Sequence, residues 1–245
     1  MKYGWVPDVP DFRDLPFTYK VTRLPKKVDL RENYHLVYNQ GSLGSCTANA
    51  LASAYDFGRV TQELEPTNPS RLFIYYNERV VLGTVNSDSG ARIRDGIKTM
   101  SREGVCEEYH WPYVINKFTQ KPPDPAYKDA VQSTIKQYLR LNNRDLRALK
   151  QCLHDGFGFV FGFSVYPSFE GDEVAQTGVV PMPSNTDRLL GGHAVFAVGY
   201  DDATQHFIVR NSWGEDWGEK GHFYIPYAYL TNPSLSDDFW TIRLV

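Results

Sequence analysis

The spacing of apolar residues changes about halfway along the chain. From Ser45 onward, Ala48, Ala50, Leu51, Ala52, Ala54, Tyr55 and Phe57 fill a proline-free run as far as Gly58. Such density, with a stripe at helical spacing, predicts a buried helix starting near Cys46. Helical spacing returns over 69–81, where Pro69 suits a first-turn position, and over 91–102, which Gly104 closes. Residues 119–126, with Pro122, Pro123 and Pro125, read as a loop leading to a second lobe. Asn143 is placed to cap a helix that runs to His154 and ends at Gly156. Beyond it the texture is β. Strands are predicted over 157–165, 193–200, 205–210, 223–225 and 239–245, with Asp201-Asp202-Ala203-Thr204 as a turn. The first two dozen residues carry Pro7, Pro10, Pro16 and Pro25 among Asp and Arg, the texture of an extended surface arm. No repeat interrupts this order, so the predicted class is α+β, a helical first half packed on an antiparallel β second half.

Composition narrows the function classes. Hydrophobic residues make up 42% and charged residues 22% of 245, the balance of a folded soluble chain. A formal charge of −3 offers no basic field for nucleic acid or an anionic membrane, so neither is an expected partner. No segment approaches the roughly 18 apolar residues of a membrane span, and the first residues lack the apolar run of an export signal. Cys46, Cys106 and Cys152 cannot build a disulfide framework and suit a reducing compartment, compatible with the cytoplasm.

Three short segments could carry chemistry. In Gln40-Gly41-Ser42-Leu43-Gly44-Ser45-Cys46, two glycines permit a tight turn and the cysteine falls in the first turn of the predicted helix. Unpaired N–H groups and the helix dipole favour a thiolate there, and a nearby imidazolium would favour it further. A small buried apolar residue explains Cys46 equally well when the motif stands alone. In Gly191-Gly192-His193-Ala194-Val195, small residues leave space beside a histidine entering a strand; a lone histidine there is more often structural. In Asn211-Ser212-Trp213-Gly214, the asparagine carbonyl could accept from the imidazole Nδ1–H and orient the ring, or simply serve a turn. Taken together they mean more. His193 follows Cys46 by 147 positions and Asn211 follows His193 by 18, close to the spacing of a papain-type nucleophile, with His and Asn roughly 130–150 residues downstream.

The sequence resembles the papain-like cysteine peptidases. The most specific block is Asn211-Ser212-Trp213-Gly214-Glu215-Asp216-Trp217-Gly218-Glu219-Lys220-Gly221, which matches the family almost residue for residue. Gly192-His193-Ala194-Val195 with Val198-Gly199-Tyr200 matches the histidine region, and Gln40-Gly41 with Gly44-Ser45-Cys46 the nucleophile region. Ser89-Gly90-Ala91, Gly104-Val105-Cys106 and Trp111-Pro112-Tyr113 resemble groove-lining and helix-ending segments. Two positions depart. Leu43 stands where the family usually has one end of a disulfide, and 86–89 has no cysteine for the other; Thr47 replaces a tryptophan beside the nucleophile, so local packing must differ.

The resemblance implies a two-lobed fold with a helical lobe over about 45–135, a β-barrel-like lobe over about 136–245 and the active cleft between. It implies a cysteine endopeptidase with Cys46 as nucleophile, His193 as acid and base, Asn211 as orienting group and Gln40 as oxyanion donor. Gly90, Ala91, Gly192 and Trp217 are the expected substrate contacts, and Cys106 and Cys152 packing residues. A monomer acting on peptide or protein, without cofactor, is expected, since Cys46 and His193 lack the further ligands of a zinc site. Transamidation by the same site and a catalytically silent peptide-binding relative are the alternatives. The arm, residues 1–23, could lie in the cleft as a short pro-like segment or brace the β lobe, with bracing favoured. The whole reading requires the sulfur to meet the imidazole at the floor of a crevice with room for a scissile carbonyl.

Overall fold

Helix α1 (Cys46–Thr61) is buried on every face from Cys46 to Gly58, which is why its apolar residues wrap the helix and do not form a narrow stripe. The computed structural model describes residues 2–33 and 36–245; His35, a histidine without an expected role, lies outside them. The helix continues past Gly58 to Thr61, and a Cβ at Gly58 would meet the Leu244 side chain at 3.4 Å. Helices α2 (Arg71–Leu82) and α3 (Ile93–Arg102) pack beside α1. Ser70 caps α2, accepting from the Phe73 N–H at 3.2 Å, so Pro69 precedes the helix and is not in its first turn. Helix α4 (Asp124–Ala130) begins inside the proline-rich segment predicted as loop, with Pro125 in its first turn where no N–H is needed. Helix α5 (Leu146–His154) is capped by Asp145, which accepts from Ala148 N at 3.1 Å. Asn143 is therefore not the cap; its amide instead donates to the carbonyls of Leu230 and Ser236.

Seven strands form one antiparallel sheet among the described residues: β1 (Lys27–Asp29), β2 (Gln137–Arg140), β3 (Phe159–Val165), β4 (Gly191–Asp201), β5 (His206–Arg210), β6 (His222–Pro226) and β7 (Ser236–Arg243). Their order is β2-β7-β3-β4-β5-β6, with β1 also paired to β4. The path ends at β2 and β6, so the sheet is open, which corrects the barrel-like expectation. One reason is that the edge of β2 is already occupied: Arg140 N donates to Leu15 O at 2.8 Å and Phe17 N to Arg140 O at 2.7 Å. The arm thus satisfies an edge that closure would otherwise satisfy.

Period-2 alternation on β4 divides the core. Ala194, Phe196 and Val198 face the helices, whereas Val195 and Ala197 face a second cluster rich in aromatics, including Phe159, Phe161, Phe163, Phe207 and Phe239. A register shift between Ala197 and Gly199 moves Tyr200 into the second cluster. The first turn of α1 and the first residues of β4 meet where these two packing layers begin.

Candidate active site

Cys46 is the first residue of α1, delivered by the turn at Gly41, whose φ of +63° belongs to the left-handed region. His193 is the third residue of β4, and Asn211 directly follows β5, the neighbouring strand. Antiparallel pairing brings the two side chains together: His193 Nε2 lies 2.8 Å from Asn211 Oδ1. The expected bond used Nδ1. The structure corrects this, because Nδ1 sits close to its own backbone while Nε2, the far end of the ring, spans toward the next strand. Nδ1 is buried and has no hydrogen-bond partner among the described residues. Trp213 stacks on the imidazole, centroids 5.0 Å apart at 26°, and covers the His–Asn pair. Trp217 packs edge-on against Trp213 at 5.0 Å and belongs to an aromatic wall with Phe169 and Phe223.

Gln40 is fully buried and its amide is fixed at both ends. Ser212 Oγ donates to Gln40 Oε1 at 2.7 Å, while Nε2 donates to the carbonyls of Leu43 at 2.9 Å and Lys2 at 3.2 Å. Ser212 is a candidate positioning residue that the sequence reading passed over, although it lies inside the quoted Asn-Ser-Trp-Gly block.

The sulfur is not open to solvent: Cys46 has 0% exposure. What covers it is the chain's own arm. Trp5 N donates to Gly192 O at 3.0 Å, Val6 N to Ala91 O at 2.9 Å, and Ala91 N to Gly4 O at 2.8 Å, a parallel bridge centred on Trp5 and Ala91. Three of the four expected substrate contacts, Gly90, Ala91 and Gly192, therefore touch the arm. A Cβ on Gly90 would lie 2.2 Å from Gly4 O, and one on Gly4 would lie 1.9 Å from Gly44 O, so both glycines are required for so close a pass. The arm divides in two. Residues 2–8 lie in the cleft, and from Leu15 the chain follows β2 and α5, where Tyr19 binds Asp145 and Thr22 binds Gln151, each at 2.9 Å.

Burial sets the protonation of the pair. It pushes the Cys46 thiol up to about 11, against the N–H groups of Ala194 and Gly4 directed at the sulfur, and pushes His193 down to about 4, against its bond to Asn211. In this arrangement both groups are held neutral, in place of the thiolate expected from the helix terminus. The reason is magnitude: a helix terminus is worth roughly 0.3–1 kcal/mol, whereas full desolvation of a charge costs several.

The two departures find substitutes. Asp88 occupies the region of the missing disulfide: its carboxylate accepts from Gly44 N at 3.1 Å and Tyr75 OH at 2.6 Å, and pairs with Lys2 of the arm. Thr47 is buried and donates to Glu78 at 2.9 Å, so a polar pair fills space beside Cys46. Burial raises the Glu78 carboxyl well above the usual range. Cys106 and Cys152 are free thiols within the two core clusters. His222 opens β6, its Nε2 accepting from Arg210 Nε at 3.3 Å. Among the described residues, no group of three or more His, Cys, Asp or Glu side chains is arranged to hold a metal, and no helix is long and apolar enough to cross a membrane.

Comparison with known proteins agrees with this arrangement. The structure of xylellain, a cysteine protease from Xylella fastidiosa, superposes with a TM-score of 0.95 at 48% identity, covering 99% of this chain and 96% of that one. An uncharacterised peptidase C1-like protein of Acanthamoeba polyphaga mimivirus is 42% identical, covering 99% of this chain and 87% of that protein. A cathepsin B-like protein of Giardia intestinalis is 29% identical over 85% of this chain and 71% of its own length. The sequence pattern of the papain family cysteine proteases matches residues 24–233. This chain belongs to the papain family of cysteine proteases.

Proposed function

We propose that the protein is a cysteine endopeptidase held closed by residues 2–8 of its own arm. When the arm lifts, water reaches the cleft and the desolvation that keeps thiol and imidazole neutral is relieved. The Cys46 proton passes to His193 Nδ1, the ring nitrogen without a partner. The thiolate attacks the scissile carbonyl carbon, and the oxyanion accepts from Gln40 Nε2 and the Cys46 backbone N–H. Collapse breaks the C–N bond as the imidazolium protonates the leaving amine, giving an acyl-enzyme. His193 then takes a proton from water, which attacks the acyl carbon and frees the sulfur. Asn211 keeps the ring oriented throughout.

The observation that carries this reading is an extended peptide already paired in the cleft, with the Lys2 carbonyl on Gln40 Nε2 and strand-type bonds to Ala91 and Gly192. The Gly4 N–H is directed at the sulfur, and the Gly4 carbonyl is turned onto Ala91 N.

The test is covalent labelling of the full chain with a peptidyl epoxide, followed by cleavage of a peptide library. The adduct is expected on Cys46, and Cys46→Ala should lose both labelling and cleavage. Cleavage that survives Cys46→Ala would refute the assignment.

A further inference from the structure

The peptide unit between Leu43 and Gly44 joins two parts of the site. Its carbonyl, on Leu43, accepts from Gln40 Nε2 at 2.9 Å, and its N–H, on Gly44, is shared between the two oxygens of Asp88, each at 3.1 Å. A peptide unit is planar and trans, so its N–H and C=O point in opposite directions and whatever turns one turns the other. Glycine on its C-terminal side offers little resistance to a flip, since glycine accepts either sign of φ. Asp88 supplies that resistance. By holding the Gly44 N–H it fixes the Leu43 carbonyl, and the carbonyl engages one of the two N–H groups of Nε2. The second N–H is left for the cleft, where it meets the Lys2 carbonyl at 3.2 Å.

Asp88 is itself held from the body of the protein. Tyr75 OH donates to Oδ1 at 2.6 Å and accepts from Gly90 N at 3.1 Å, so a second branch runs from the carboxylate to the segment that pairs with the arm. Arg79, fully buried, lies over the Tyr75 ring at 4.1 Å and donates to the carbonyls of Val85 at 2.8 Å and Ser87 at 3.2 Å, which sets the turn that delivers Asp88. Burial alone would raise the Asp88 carboxyl, but Lys2, Tyr75 and the Gly44 N–H together outweigh it and hold it below its ordinary value. Lys2 leaves with the arm, whereas Gly44 and Tyr75 remain. We propose that Asp88 is a positioning residue: its carboxylate keeps the Leu43–Gly44 peptide turned so that Gln40 Nε2 presents an N–H to the oxyanion. This rests on the peptidase reading above.

The test uses the full chain carrying Trp5→Leu, which removes the indole that anchors the arm on Asp238 at 3.0 Å and so opens the cleft. Asp88→Asn sets an NH2 donor against the Gly44 N–H and weakens the hold on it. It should lower kcat roughly tenfold, less than loss of the oxyanion donor itself, with KM little changed. Added to Gln40→Ala, the same change should cost less than about twofold further, because the group it aims is gone. Tyr75→Phe, which leaves the carboxylate on Gly44 but deprives Gly90 N of its acceptor, should spare kcat and raise KM several-fold. A peptide aldehyde, whose oxygen takes the oxyanion position once the Cys46 sulfur adds to its carbon, should bind Asp88→Asn roughly tenfold more weakly. Iodoacetamide alkylates Cys46 without an oxyanion donor and should react at an unaltered rate. Unchanged kcat in Asp88→Asn, full additivity with Gln40→Ala, an equal kcat loss in Tyr75→Phe, or alkylation lost together with hydrolysis would overturn the proposal. Aldehyde affinity that depends on Asp88 in a protein that cleaves no peptide would instead count against the peptidase reading and leave the positioning role standing.

Discussion

A single hydroxyl decides which end of the Gln40 amide faces the arm. Ser212 Oγ donates to Oε1, so Nε2, the donor, is left facing the cleft. Removing the donor outright by Gln40→Ala should lower kcat by roughly a hundred- to a thousandfold, the usual consequence of losing one oxyanion donor. Ser212→Ala should cost less, about tenfold in kcat with KM little changed, since it removes one hydrogen bond worth about 1 kcal/mol and only loosens the amide. Steady-state kinetics on the open Trp5→Leu background would separate the two; equal losses would mean that Ser212 does more than position Gln40. Gln40 was legible from its motif. Ser212 was not, because its partner lies 172 residues away and a hydroxyl carries no local mark of what it binds.

Among the elements, the arm divides its contacts: residues 2–8 pair with Ala91 and Gly192, whereas the stretch from Leu15 onward lies along β2 and α5. The join between the two parts is the turn at Asp11–Asp14, where Asp14 N donates to Asp11 O at 3.2 Å and Phe12 is 99% exposed. An exposed aromatic on a turn is an early target for a protease. Brief chymotrypsin treatment should therefore cut after Phe12 and give a new N-terminus at Arg13, visible by mass spectrometry. Cleavage uncouples residues 1–12 from the strap that remains on β2, so peptidase activity should rise and a synthetic peptide of residues 1–12 should suppress it again. A clean cut with no gain in activity after the peptide is removed would show that residues 2–8 do not restrain the enzyme. The cleft half was illegible because its hold is made of backbone bonds to Ala91 and Gly192, which any sequence could offer.

At the scale of the molecule, the arm is a titrating cover. The Asp8 carboxyl is pushed up to about 7, chiefly by burial and by Asp238 beside it, against Trp240 and Arg94. Arg140, Asp14 and Asp237 complete the charged surroundings. In a free arm Asp8 would titrate near 3.8. The docked arm thus keeps a proton that the free arm gives up, so Asp8 favours docking fully below about 4 and loses that contribution as pH rises through 7. The difference is on the order of a few kcal/mol. His193, held neutral down to about 4, works the other way by favouring the closed state at higher pH. Comparison with Asp8→Asn at each pH cancels the imidazole and the thiol. The ratio of native to Asp8→Asn labelling rates at Cys46 should climb roughly tenfold or more between pH 5 and pH 8; a flat ratio would remove Asp8 from the latch.

The sequence by itself determined the family, a cysteine at the start of a buried helix, and the His–Asn pair on neighbouring strands. Each of these is written in residue identity, short-range periodicity or spacing, and each survives whatever else the chain does. Only the tertiary structure decided that the sheet stays open, that Asn211 meets Nε2, that Cys46 is sealed under Gly4, and that thiol and imidazole are neutral there. Those outcomes depend on which distant segments exclude water from a given atom, and desolvation is a property of the assembled surroundings that no local pattern of residues contains.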